Sequence, residues 1–393
     1  MTSFARLLVV TAAVQFIVFA IRPFLSYEAL ARHAGVAELG FIAASFSALS
    51  LIAALPMGRA VDRWGELPFV VVGTAVMAVV PVAVAAADTV ATLVAASAAL
   101  GIGHLCASIG IQTLVAKSAT TAVRERRFAT YTLVNSAAQL IAPAACGLLV
   151  GNVTAMEGSG EVTNSGRVYA TVVVVGVIGL VAVASLLRRP GPRSRSPVTR
   201  RTHSPVGEVL RARSVPVALL ASFTTLSAID LLAAYLPAYG AEHGISVRTV
   251  SLLLAAHGVA SMLGRLAMTR LIAGIGRRRL LTISMLVPAL VLGMLPFVTW
   301  VPALYGIMAV SGLGLGLCQP ITLGWVAGQV PREIHGTAMS VRLAGNRLGQ
   351  TVVPLIVGAL AGPAGVAAAF TGPAALLAVG GVLVHRARGA GGD

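Results

Sequence analysis

Charge is what this sequence has least of: Asp, Glu, Lys and Arg make up 11% of its 393 residues. A soluble domain carries roughly 25% charged residues, so the scarcity excludes an ordinary water-soluble fold. A hydrophobic content of 57% and a mean hydropathy of +0.89 point to an integral membrane protein instead. Lysine is nearly missing: Lys117 stands alone among 29 basic residues, a bias that reads as genomic base composition. Cysteine occurs three times, at Cys106, Cys146 and Cys318, each inside an apolar segment. That number and spacing supply neither a disulfide framework nor a metal site. No Gly-x4-Gly-Lys-Ser/Thr loop is present, and no stretch is large enough for a soluble catalytic domain, so nucleotide hydrolysis is not expected. No His-x4-Asp motif occurs either, and a membrane-embedded acyltransferase or other enzyme is not expected. After Arg6 and the first apolar run comes Arg22-Pro23 rather than a small-residue cleavage site, which predicts an uncleaved first span.

What the chain does have is apolar length. Twelve candidate spans run roughly over 6–30, 37–57, 67–87, 90–116, 128–151, 168–187, 214–240, 247–270, 279–298, 302–330, 337–361 and 364–385. The net charge of +16 is explained by where the arginines lie, not by nucleic-acid affinity. One set of loops holds Arg59, Arg63, Lys117, Arg124, Arg126, Arg127 and Arg277 to Arg279. The alternate set is mixed and leans acidic, with Glu28, Arg32, Glu38, Asp88, Glu157, Glu161, Arg167, Glu242 and Arg248. The positive-inside rule then places the basic loops and both termini in the cytoplasm of a bacterial-type inner membrane. Residues 188–213 hold eight arginines, four prolines and one acid, and read as a cytoplasmic linker between halves 1–187 and 214–393. The linker sets topology; it could also hold anionic headgroups at about 1 kcal/mol per basic residue.

A repeat organises the two halves. Asn135-x3-Gln139-x3-Pro143-x3-Gly147 returns as Asn346-x3-Gln350-x3-Pro354-x3-Gly358, 211 residues later at all four positions. Gly101 and Gly103 match Gly312 and Gly314 at the same offset, as Val115-Ala116 match Val326-Ala327. Two copies of a bundle of apolar segments predict one ancestral unit used twice. A spacing of four keeps these residues near one helical face, which must look into protein or water rather than lipid. The paired prolines can kink their helices or serve packing alone.

Charge inside a span is costly and marks a functional position by default. Arg22 and Asp230 are the clearest cases, and Arg22-x4-Tyr27 aligns with Asp230-x4-Tyr235 at an offset of 208. Three readings stay open. Arg22 binds an anionic substrate group while Asp230 carries a coupling proton; or the two form a static ion pair; or both snorkel to the outer headgroups. The first has a physical logic: desolvation favours a protonated carboxyl and a nearby arginine an ionised one, so displacing the arginine couples substrate to proton. Gln15, Phe19, Arg22 and Ser26 share a face, and Tyr27 and Tyr235 are counted with Gln15, Phe19 and Arg22 as candidate substrate contacts. Gln112, Tyr131, Asn135, Gln139, Asn346 and Gln350 extend the polar surface, either lining a cavity or bonding helices to one another. His104 and His257 could titrate near neutral pH or be satisfied packing residues. Arg342 is read as interface charge and ranks below Arg22.

Between spans two and three stands Gly58-Arg59-Ala60-Val61-Asp62-Arg63-Trp64-Gly65. It resembles the signature loop of the major facilitator superfamily, Gly-x-x-x-Asp-Arg-x-Gly, with Glu66-Leu67 where basic residues usually follow. The resemblance implies an all-α integral membrane protein of twelve transmembrane helices in two pseudo-symmetric six-helix bundles. It also implies a conformational switch at Gly58, Asp62, Arg63 and Gly65, with Asp62 meeting the start of span eleven near Gly336. Loop capping and topology are the alternative. Ala142-Pro143 and Gly147 partly resemble a motif of drug:proton antiporters. The expected function is secondary transport by alternating access, as proton-coupled efflux of a small, largely apolar organic compound such as a drug or secondary metabolite. Few charges in the cavity are expected. The alternative is uptake of an anionic metabolite, or flipping of an anionic lipid, held by Arg22. The expected energy source is the proton gradient with no cofactor, and the expected partners are a small substrate and lipids, with no nucleic acid. A monomer is expected.

Overall fold

The computed structural model describes residues 3–116, 121–152, 165–187, 206–212, 214–329 and 335–387. The described residues form helices joined by short links: α1 (Ser3–Ala31), α2 (Val36–Trp64), α3 (Glu66–Ala85), α4 (Val90–Ala116), α5 (Thr121–Val150) and α6 (Ser165–Leu187) build one half. The second half holds α8 (Val215–Glu242), α9 (Val247–Ile275), α10 (Arg277–Met294), α11 (Val301–Gln329), α12 (His335–Ala364) and α13 (Ala368–Arg386). The linker lies mostly outside the described residues, apart from a short helix α7 (Val206–Arg211).

Among the described residues, eleven helices are long and apolar enough to cross a membrane. The remaining expected span, 337–361, corresponds to α12, whose 30 residues suffice in length. Its first half carries Arg342, Asn346, Arg347 and Gln350, and Asn346, Arg347 and Gln350 are buried. A helix enclosed by protein does not need an apolar surface all round. On the outside of the bundle, Ile52, Val79, Val181, Leu266, Leu290 and Leu360 are exposed, an arrangement suited to lipid contact.

The repeat read from the sequence is also a repeat in space. Gly65 and Gly276, 211 residues apart, are each the only residue between two helices, with φ of +87° and +80°. Each amide donates back to the carbonyl four residues earlier, Val61 and Ile272. With ψ of 169° and 151°, this backbone region is essentially restricted to glycine and costs any other residue about 1–3 kcal/mol. The motif is helical up to its last residue: residues 58–64 continue α2 without a turn at Gly58, because nothing in Gly-Arg-Ala-Val-Asp-Arg-Trp interrupts a helix before Gly65.

Within each half, matched glycines set helix approach. A methyl group at Gly101 would collide with the carbonyl oxygen of Phe46, and one at Gly312 with that of His257. These acceptors are themselves 211 residues apart. Between halves, a methyl at Gly40 would lie 2.6 Å from the Pro354 carbonyl oxygen, and one at Gly147 would lie 2.6 Å from Ser251 Cβ. Gly40 and Ser251, and Gly147 and Gly358, are again offset by 211. The α2/α12 and α5/α9 seams are therefore the same contact made twice.

Glu28 belongs to the protein interior and not to a loop. Its carboxylate accepts from Tyr169 Oη at 2.5 Å and from Arg32 Nη1 at 2.7 Å, while Arg32 also donates to the Ala87 carbonyl. This network ties α1 and α6 to the α3–α4 link. Tyr169→Phe is expected to lower the unfolding free energy by about 1.5–3 kcal/mol, the usual worth of a hydrogen bond to a charged group. The unfolding midpoint in detergent reads it; an unchanged midpoint would mean the network carries no stability.

Candidate functional site

The centre of the molecule is polar where the halves meet. Arg22 on α1 donates through Nη1 to Asp230 Oδ1 on α8 at 2.5 Å, and the two side chains are 11% and 5% exposed. The sequence offset of 208 has become a contact across the halves. Snorkelling toward headgroups is thereby excluded, because each charge is buried and holds the other. The second carboxylate oxygen, Asp230 Oδ2, has no partner.

Around this pair lie two polar clusters, one in each half. In the first, Gln15 Nε2 and His104 Nε2 are 3.4 Å apart, and Gln112 Nε2 donates to Tyr131 Oη at 3.4 Å. The Tyr131 hydroxyl also interacts with Asn135 and Gln15, so α1, α4 and α5 converge there. His104 Nδ1 and Asn135 Oδ1 remain unpartnered although buried. In the second cluster, Ser222 on α8 donates to Asn346 Oδ1 at 2.8 Å, and Gln319 on α11 donates to the Ser222 carbonyl at 3.0 Å. Arg342 Nη2 donates to Gln319 Oε1 at 2.7 Å. Arg342, on the repeat face it shares with Asn346 and Gln350, is thus held by neutral groups of α11 rather than standing as free interface charge.

Two arginines that the linear reading did not single out complete the centre. Arg347 on α12 is 9% exposed and has one side-chain bond, to Gln350 Oε1 at 3.3 Å. Arg265 on α9 donates to the Gly316 carbonyl at 3.1 Å and, across the halves, to Ser136 Oγ on α5 at 2.7 Å. α1, α8, α9 and α12 thus bring four arginines and one aspartate into the bundle, of which Arg22 lines the cavities between the halves. The sequence held a signal for Arg347, since the repeat places it opposite Ser136 and one residue after Asn346. Gln319 and Ser222 had no comparable signal; only the fold makes them neighbours.

Phe19, Arg22, Gln139, Pro143 and His257 line one cavity between the halves, of about 40 Å³. That is room for a few waters, against about 300–1,000 Å³ for a ligand-sized pocket. His257 Nδ1 lies 3.3 Å from Ser311 Oγ, and its Nε2 is unpartnered. Ser26 lines a second, smaller cavity with Arg22 and Ser97. Two expected site residues lie elsewhere. Tyr27 packs edge-on against Phe24 with its hydroxyl buried and unpartnered. Tyr235 donates to the Val36 carbonyl at 3.1 Å, at the closed end of the α2/α12 seam. Arg63 is exposed beside Trp64, 5.9 Å from its ring; Gly336 lies in the first turn of α12, and the Asp62 side chain lies outside what the structure describes.

The Major Facilitator Superfamily model matches residues 7–246 and again 218–389. The chain belongs to this superfamily. A search of curated protein sequences gives no match. Solved structures with the same fold include the nucleoside transporter NupG, at 12% identity and a TM-score of 0.76, covering 98% of this chain and 100% of that one. A D-xylose-proton symporter follows at 16% identity and 0.75, covering 98% and 97%. A POT family transporter in complex with 5-aminolevulinic acid aligns at 15% and 0.76, covering 97% and 95%. At these identities the likeness is one of fold. As a superfamily member the chain is a multi-pass membrane transporter and not an enzyme.

Proposed function

We propose that this transporter couples proton movement to the export of a small, largely apolar organic compound carrying one anionic group. The observation that carries the reading is the buried Arg22–Asp230 pair linking the halves, set among arginines whose partners among the described residues are neutral. With Asp230 ionised, the pair holds α1 to α8. A proton on Asp230 weakens that hold, and an anion beside the arginines competes for it, so either event favours separation of the halves. The apolar lining around Phe19, Pro23, Ile229, Leu232 and Leu254 suits the body of the compound better than a sugar would.

In this reading the basic end faces the cytoplasm. The form described is closed at the other end, by Gly40 against Pro354 and Gly358. Toward the basic end of the same two helices, a Cβ on Gly58 or Gly345 would meet no atom within 4 Å. Alternating access then consists of the halves rocking about the central pair.

The test is transport in proteoliposomes with an imposed pH gradient of either direction, using organic anions, matched neutral compounds and lipophilic cations. Anion flux that moves protons, with loss of driven accumulation but retained exchange in Asp230→Asn, is the expected result. Flux without proton movement in the wild type removes the coupling, and preference for cations removes the anionic substrate.

A further inference from the structure

The guanidinium that pairs with Asp230 is not free to hold a substrate, and this directs attention to the other one beside it. Arg22 and Arg347 both lie over the Phe46 ring, at 4.8 and 5.9 Å from its centroid. Arg347 comes from α12 in the second half and Phe46 from α2 in the first, so this packing crosses the interface. Arg347 is close enough to Asp230 and Arg22 to feel both charges. Among the described residues the ion pairs are Arg22–Asp230 and Arg32–Glu28, so the group Arg22, Asp230 and Arg347 keeps one uncompensated positive charge. Arg347 Nε is buried with no partner, and the single bond to Gln350 is long. A lone guanidinium in such surroundings loses hydration that neutral contacts recover only in part. Stability alone gives no reason to keep it, whereas a ligand of one negative charge does.

We propose that Arg347, with Gln350 beside it, is the binding residue for the anionic group of the substrate, and that the compound is a monoanion with a flat apolar body lying toward Phe46. Arg22 is then the partner of Asp230 and not a substrate ligand. The inference rests on the anionic substrate proposed above and adds where that anion is held. A monocarboxylate fits better than a dianion, because one positive charge is left to neutralise. The guanidinium fork also matches a carboxylate's two oxygens.

The probes are 2-naphthoate, its neutral amide and a naphthyl-substituted quaternary ammonium, added to the full-length protein in detergent while thermal unfolding is followed. Saturable stabilisation by 2-naphthoate alone is expected in the wild type. Arg347→Gln should weaken its apparent affinity by roughly tenfold or more, the worth of one charge-assisted bond. Arg347→Lys should fall between, keeping the charge without the fork. Removing the pair as a whole, with Arg22→Gln and Asp230→Asn together, leaves the charge of Arg347 in place and should keep the affinity within about threefold of wild type, as expected for residues outside the bond. Arg347→Met reports on structure: a midpoint without ligand equal to or above wild type fits a charge kept for binding, and a clear fall makes the residue structural and overturns the proposal. Loss of naphthoate binding in that double variant but not in Arg347→Gln also overturns it, while the anionic substrate stands. Indifference of the wild type to naphthoate, or a preference for the cation, removes both.

Discussion

Asp230→Ala is expected to lower the unfolding free energy by about 3–5 kcal/mol, the largest stability loss of any single substitution proposed for this protein. The substitution strands Arg22, only 11% exposed, without its carboxylate, and breaking one partner of a buried ion pair costs about that much. Removing both charges should be far milder. Arg22→Met with Asp230→Leu replaces the pair by apolar side chains, a change that is often neutral or stabilising. The measurement is thermal or denaturant unfolding in detergent of the two single variants and the double variant, with transport assayed alongside. Recovery of stability without recovery of proton-driven accumulation assigns the pair to coupling. A double variant as unstable as Asp230→Ala would show instead that the pair holds the fold, and the functional reading would lose its main support.

Gly40→Leu is expected to abolish transport while leaving a folded protein. Gly40 is closed in by the other half: a methyl there would lie 2.6 Å from the Pro354 carbonyl oxygen, 2.9 Å from Tyr235 Oη and 3.0 Å from Gly358 Cα. Each neighbour belongs to the second half, so a leucine wedges the halves apart at that end without disturbing packing within either. Overpacking of this kind costs about 1–3 kcal/mol, here charged against the form closed at the Gly40 end alone. Gly101→Leu is the contrast, because its collision with Phe46 is internal to the first half and should lower stability itself. Gly58→Leu, facing open space, should leave stability within about 0.5 kcal/mol, as surface changes do. Cysteine accessibility at the two ends of the bundle, read in membranes, separates the cases. A transport-competent Gly40→Leu would mean that closure at this seam is not part of the cycle.

The positions that became legible from the chain alone are those whose reasons are local or repeated. Apolar length set the helices, and a 211-residue offset paired Asn135 with Asn346 and Gly101 with Gly312. The structure extends the same offset to Gly65 and Gly276, where one residue must turn the chain between two helices. Arg22 and Asp230 stood out because ionised groups in apolar segments demand an explanation. Their pairing did not follow from that, since equal depth in two halves fits contact, separation or snorkelling equally well.

Misreadings cluster where burial depends on another helix. Glu28 counts as a loop charge in the linear sequence because it follows the first apolar run, yet Tyr169 and Arg32 enclose it. Tyr27 and Tyr235 share the 208-residue offset with the central pair, but one packs within the first half and the other braces the α2/α12 seam. Helix direction places a side chain at a depth; only neighbours decide whether it meets a cavity or a packed wall.

By itself, then, the sequence determined an all-helical membrane protein of two related halves, because hydrophobic length, glycine turns and an internal repeat are properties of the chain. The tertiary structure alone decided which charges are spent on one another and which are left over. Arg22 meets Asp230 while Arg347, 117 residues further along, shares the Phe46 ring without a carboxylate of its own. That division arises from distances of a few ångströms between helices of different halves, and Coulomb interactions inside a membrane protein depend on such distances rather than on order along the chain.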